Sequence, residues 1–144
     1  MSTTSESLAG RALPMPDNVS RHYWSAAARG ELVIQRCRSC GKYQFYPRSL
    51  CLSCAGEPEW VQATGRGTLH TYTIIRQNRT PPFAGLVPYA VAIVELEEGV
   101  RMMSNVIDCS VEELYIGMPL EVVLVPVDEA IGLPFWRPAA ATST

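Results

Sequence analysis

Lysine is nearly missing from this 144-residue chain: Lys42 is the single lysine among twelve Lys and Arg residues. Histidine occurs only as His22 and His70, and phenylalanine three times. No apolar run approaches the ~20 residues that a membrane-spanning helix needs. The opening MSTTSESLAGRALPMP lacks the charged-then-apolar layout of a secretory signal. There is no G-x-S-x-G, Walker or dinucleotide-binding motif. These absences predict a cytoplasmic protein with no membrane association and no complete catalytic constellation of its own. The composition, 47% hydrophobic and 18% charged with a formal net charge of −2, is that of a globular chain. Its length suits one compact unit or two small modules sharing a surface.

Cysteine is also sparse, at five residues, yet four of them crowd into CRSCGKYQFYPRSLCLSC, residues 37–54. They form two C-x-x-C pairs with ten residues between them. In a reducing compartment such pairs indicate metal rather than disulfides. Zinc takes four thiolates as a tetrahedron with sulfurs at about 2.3 Å, so Cys37, Cys40, Cys51 and Cys54 are assigned to zinc, with iron the alternative thiolate-bound metal. Gly41 suits the left-handed turn that follows a knuckle, whereas the second knuckle carries Ala55 there and Gly56 one place later. Four protein ligands leave no open position for water or substrate, so the metal is expected to hold structure and not to catalyse.

Charge divides along the chain. From Arg29 to Arg79 eight basic residues stand against three acidic ones; from Thr80 onward two stand against nine. One reading is a face for nucleic acid or phosphate. The other is that Arg36, Arg38, Lys42 and Arg48 offset the −2 charge of four thiolates around a divalent ion.

The pattern predicts a mainly β chain. Residues 1–16 read as a disordered arm, 17–31 as a helix capped by Asp17 or Asn18 and ended by Gly30, and 32–59 as a rubredoxin-like zinc ribbon. Residues 60–138 hold five strand candidates, 65–76, 89–98, 100–108, 119–127 and 131–138, with a capping-box sequence at Ser110 to Glu113 between the third and fourth. Five strands with one short helix at that place fit an OB-fold barrel; 139–144 form a tail. On the second barrel strand Ala90, Ala92, Val94 and Leu96 make one face, and Tyr89, Val91 and Ile93 leave the other apolar as well.

The remaining polar residues carry little chemistry. Cys109 follows a β segment and reads as an inert, buried thiol. His70 lies among threonines and reads as structural. Two proline-rich segments, 77–88 with Phe83 and 132–138 with Phe135 and Trp136, have the composition of adhesive loops. Either they meet a partner, or Phe83 and Trp136 fold back as plugs over the barrel ends. The aromatic load of the helix, Tyr23 and Trp24, favours a partner. Single-stranded nucleic acid is the runner-up, with Tyr72 and Tyr89 to stack on bases and Arg66, Arg76 and Arg79 to meet phosphates. Against it stand the acidic balance and the single lysine.

From about Ser20 to Pro138 the chain resembles the zinc-ribbon plus OB-fold proteins, a former domain of unknown function, that accompany thiolases and thiolase-like aldolases. The resemblance is carried by YWSAAARGELVIQRCRSCGKYQFYPR, CLSC, EWVQATGRGTLHTYTI, VPYAVAIVELEEGVRMMSNV, IGMPLEVV and LPFWRP. It implies a non-catalytic subunit in a hetero-oligomer whose partner acts on acyl-CoA thioesters by thiolysis, condensation or retro-aldol cleavage. It also implies that Arg66, Arg76 and Arg79 face the coenzyme's phosphates or an acidic partner surface. Some members are fused to a hydratase-like domain, for which these 144 residues have no room.

Overall fold

Eight strands, one α-helix and two single-turn 3-10 helices make up the regular structure of the computed structural model, which describes residues 11–139. The arm expected over 1–16 lies outside the described residues but for 11–16, and the tail expected over 139–144 but for Ala139. The helix, α1 (Arg21–Ala28), starts later than the sequence indicates. The Asp17 carboxylate accepts the N–H groups of Val19 and Ser20 and the Ser20 hydroxyl, so Asp17 closes a turn of its own and Ser20 takes the N-cap position. At the other end the Gly30 N–H bonds to Ala27 O and the Glu31 N–H to Ala26 O, the paired bonds that close a helix through a left-handed glycine.

A three-stranded antiparallel sheet follows, in the order β2 (Tyr43–Gln44), β1 (Val33–Cys37), β3 (Pro58–Gln62). The other five strands are β4 (Arg66–Ile75), β5 (Tyr89–Leu96), β6 (Arg101–Val106), β7 (Pro119–Pro126) and β8 (Gly132–Pro138). They close a barrel in the order β4-β5-β6-β8-β7. All its pairings are antiparallel except β6 with β8, which meet in parallel at Val106 and Trp136. That order and that single parallel closure make it an OB-fold.

Ala90, Ala92, Val94 and Leu96 of β5 point into the barrel, while Tyr89, Val91 and Ile93 are half-buried on its outside. Between β6 and β7 the expected capping box is a single 3-10 turn, Val111–Glu113. The Ser110 hydroxyl meets the Glu112 N–H rather than that of Glu113, because three residues are too few to set up the full reciprocal cap.

The two sheets and α1 share one core. Tyr23 and Ala26 of α1, with Leu32, Val33 and Ile34, join Leu69, Val94, Met102, Leu120 and Trp136 of the barrel. A Cβ on Gly132 would lie 2.3 Å from the backbone of Ala27, so α1 rests directly on the start of β8. Ribbon, helix and barrel are therefore packed as one body.

Candidate metal centre

The hairpin β1–β2 carries the first knuckle, and the segment before β3 carries the second. Each turn closes through a pair of backbone bonds: Gly41 N–H to Cys37 O at 3.0 Å with Cys37 N–H to Lys42 O at 2.9 Å in the first, and Ala55 N–H to Cys51 O with Cys51 N–H to Gly56 O, both at 2.9 Å, in the second. The four sulfurs of Cys37, Cys40, Cys51 and Cys54 all lie within 4.8 Å of one another. Two of the edges are 3.5 Å (Cys37 to Cys54) and 3.7 Å (Cys40 to Cys51). A tetrahedron with metal–sulfur bonds of about 2.3 Å has edges of about 3.8 Å, so the sulfurs stand where four ligands to one ion would be.

Backbone donors already treat these sulfurs as thiolates. The N–H groups of Cys40 and Ser39 point at Cys37 Sγ at 3.4 and 3.3 Å and hold its pKa down to about 6. The N–H groups of Cys54 and Ser53 lower that of Cys51 in the same way. Cys54 has the Gly56 N–H to lower it, but the neighbouring sulfurs of Cys37 and Cys40 prevail and push it up to about 11. Four thiols this close cannot all ionise without a cation among them, which is the chemistry of a metal site.

Gly56 packs so tightly that a Cβ there would stand 2.8 Å from Cys37 Sγ. Ala55, by contrast, holds the left-handed φ of 61° that Gly41 supplies at 75° in the first knuckle. An alanine in that region costs about 1 kcal/mol. Ala55→Gly is therefore expected to stabilise the metal-loaded protein by up to about 1 kcal/mol, offset in part by the added freedom of the unfolded chain. Chemical denaturation measures it.

The basic residues near the ribbon are engaged in different ways. Arg36 Nε donates to Gly41 O at 3.2 Å and its guanidinium lies over Tyr43. Arg38 pairs with Glu59 at 3.7 Å. Arg66 opens β4 and Arg76 follows its far end, so up to about 33 Å of extended chain separates them. All three of Arg66, Arg76 and Arg79 are exposed, but only Arg76 and Arg79 share an end of the barrel.

Among the expected partner residues, Tyr23, Phe135 and Trp136 are 4%, 3% and 0% exposed. Of the two expectations for this segment, fifth strand and adhesive loop, the strand holds: it is β8, with Trp136 in the barrel core and Phe135 on the opposite face, packed with Ile107 and Val125. Trp24 and Phe83 remain half-buried. Trp24 lines a groove of about 700 Å³ between α1, the ribbon and β6, together with Phe45, Tyr46, Met103 and Phe135. Arg11 lies at its edge, with the guanidinium over the rings of Phe83 and Phe135.

Tyr72 is turned to the core, its hydroxyl donating to Leu114 O, and the Tyr89 hydroxyl accepts from Asn78. His70 is exposed at a bulge in β4, and the His22 ring lies tilted against Trp60, with centroids 5.1 Å apart. Cys109 is half-buried, and burial followed by the charge of Glu113 raises its pKa, the opposite of what a nucleophile needs. Gln35 and Gln44, neither of them among the expected site residues, face each other across β1 and β2. The available signal was an uncharged polar residue, Gln35, set against the apolar run Leu32, Val33, Ile34.

Two family models match. Residues 24–61 fit the ChsH2 rubredoxin-like zinc ribbon domain, and residues 60–125 fit the ChsH2 C-terminal OB-fold domain. A DUF35 domain-containing scaffold protein of Methanocaldococcus jannaschii is 35% identical over 68% of this chain and 70% of its own length. A probable enoyl-CoA hydratase alpha subunit of Thermomonospora curvata is 34% identical over 90% of this chain, which spans 40% of that relative's length. In the solved Ltp2-ChsH2(DUF35) aldolase one chain superposes with a TM-score of 0.80 at 32% identity, over 89% of this chain and all of that one. The chain belongs to the family of DUF35 scaffold proteins, built from a ChsH2-type zinc ribbon and a ChsH2-type OB-fold domain.

Proposed function

We propose that this chain is the non-catalytic accessory subunit of a thiolase-fold enzyme acting on acyl-CoA thioesters, by thiolysis, condensation or retro-aldol cleavage, in the cytoplasm. The observation that carries the reading is a four-thiolate site with every ligand position taken, in a chain that superposes over the whole of one chain of a solved aldolase. The metal assigned to Cys37, Cys40, Cys51 and Cys54 is zinc, which supplies a rigid cross-link and no reaction step. The protein's own residues then form a platform: Trp24 and Phe83 contact the catalytic subunit, with Tyr23, Phe135 and Trp136 supporting them from beneath. The Tyr72 ring is half-buried against the core, which counts against a base-stacking role for it.

A second reading takes a hydratase as the partner, favoured by the name of the Thermomonospora curvata relative. Co-expression with each class of catalytic subunit separates the two. The thiolase-fold partner is expected to form a stable complex and cleave or condense acyl-CoA. Hydration of an enoyl-CoA by the assembled complex instead would favour the second reading, and turnover by this chain alone would defeat both.

The coenzyme's phosphates are assigned to the basic residues of β4 and the loop after it. Because Arg76 and Arg79 share one end, Arg76→Ala with Arg79→Ala is expected to weaken acyl-CoA binding to the complex about tenfold, with Arg66→Ala adding little. Calorimetric titration of the complex measures this, and unchanged affinity in the triple variant removes the phosphate role.

A further inference from the structure

Residues 45–50, which lead from β2 to the second knuckle, make no backbone-to-backbone hydrogen bond. Two side-chain amides stand in for the missing strand. Gln35 and Gln44 face each other across the β1–β2 pairing. Gln35 Oε1 accepts from Gln44 Nε2 at 2.7 Å and from the Arg48 N–H at 2.8 Å, while its Nε2 donates to Arg48 O at 2.9 Å. Gln44 Oε1 accepts the Leu52 N–H at 3.1 Å, and its Nε2 also reaches Leu50 O at 3.4 Å. Gln35 is 4% exposed, the single buried polar side chain among the described residues. Its amide has one possible orientation, because a flip would set an oxygen against Arg48 O.

We propose that Gln35 and Gln44 are the positioning residues of the metal centre, holding the 48–52 backbone so that Cys51 stands ready beside Cys40 before the ion arrives. Both knuckles close with the same outer backbone bond, Cys37 N–H to Lys42 O and Cys51 N–H to Gly56 O, each at 2.9 Å, but the first grows directly out of β1 whereas the second is approached through a segment without backbone bonds. The second is tied down through Arg48, Leu50 and Leu52, on either side of Cys51. The bond between the amides makes them one device: without Gln35, Gln44 loses the acceptor that aims its oxygen at Leu52. A preset second knuckle lowers the ordering entropy that metal binding must overcome and slows escape of the ion.

This rests on the zinc reading, and the test separates the two. Metal content of the full chain is measured first: less than one zinc per four-cysteine site defeats the zinc reading itself. Gln35→Met and Gln44→Met are then compared with Gln62→Met, an exposed glutamine on the same sheet. Zinc transfer to a chromogenic chelator is expected to be about 10-fold or more faster in both variants, no faster still in the double variant, and unchanged in Gln62→Met. The visible spectrum of the cobalt-loaded protein is expected to shift, while thermal unfolding of the barrel stays cooperative. Transfer rates within twofold of the parent, or an unshifted cobalt spectrum, overturn the proposal. So does collapse of the barrel in the half-buried Gln44→Met, which would make the pair a general packing element.

Discussion

Cys37→Ser is expected to empty the metal centre and loosen the ribbon while the barrel stays folded. Cys37 is the most tightly held of the four ligands: it is buried, receives two backbone N–H groups, and packs against Gly56. A serine oxygen is a poor ligand for a thiolate-preferring ion, and the remaining three sulfurs leave the tetrahedron open. Structural zinc sites contribute on the order of 10 kcal/mol to the fold of small metal-dependent domains. Most of that free energy acts on residues 37–57, since Leu32, Val33 and Ile34 are held by the shared core. Metal analysis is expected to give no bound ion. Hydrogen exchange is expected to become fast over 38–57 and to remain slow from 66 to 136. Global unfolding on loss of the metal would show that the core does not hold β1 on its own.

Trp136→Ala is expected to cost about 3–5 kcal/mol of stability, and to lower the melting temperature by about 10 °C or more. Trp136 is wholly buried where three strands converge. Its neighbours in register are Val106 on β6 and Val122 on β7, and its carbonyl accepts the Ile107 N–H at 2.7 Å. Its side chain belongs to the core that also contains Tyr23 and Ala26 of α1, so truncation opens a cavity under the helix as well as inside the barrel. Denaturant titration of the isolated chain gives the number. A loss below about 1 kcal/mol, with partner binding abolished, would return Trp136 to the role its proline-flanked sequence first indicated.

The metal site was legible because its information is local: two C-x-x-C turns bring their own geometry wherever they fold. The five barrel strands were legible from alternation, and the inward face of β5 came out residue for residue at Ala90, Ala92, Val94 and Leu96. The helix start was not, because the Asp17 carboxylate takes the N–H groups of Val19 and Ser20 in a turn that precedes the helix, and Ser20 caps α1 without a side-chain bond to mark it. For Phe135 and Trp136 the flanking prolines indicate a surface segment, with a plug over the barrel end as the alternative for Trp136. In β8 those prolines pair with Leu124 and Leu120 of β7, so the strand expected over 131–138 forms with its prolines inside the pairing. The three arginines looked like a cluster because sequence distance hides how far an extended strand carries its ends apart. Gln35 and Gln44 could be joined to Arg48 only once β1 and β2 had been set side by side.

Whether the chain works as a subunit is tested most directly by recovering the tagged protein from its own cells, at native abundance, and weighing what comes with it. The account predicts a stoichiometric thiolase-like or aldolase subunit whose acyl-CoA activity depends on this chain. Recovery of the chain alone, or with nucleic acid, would contradict it.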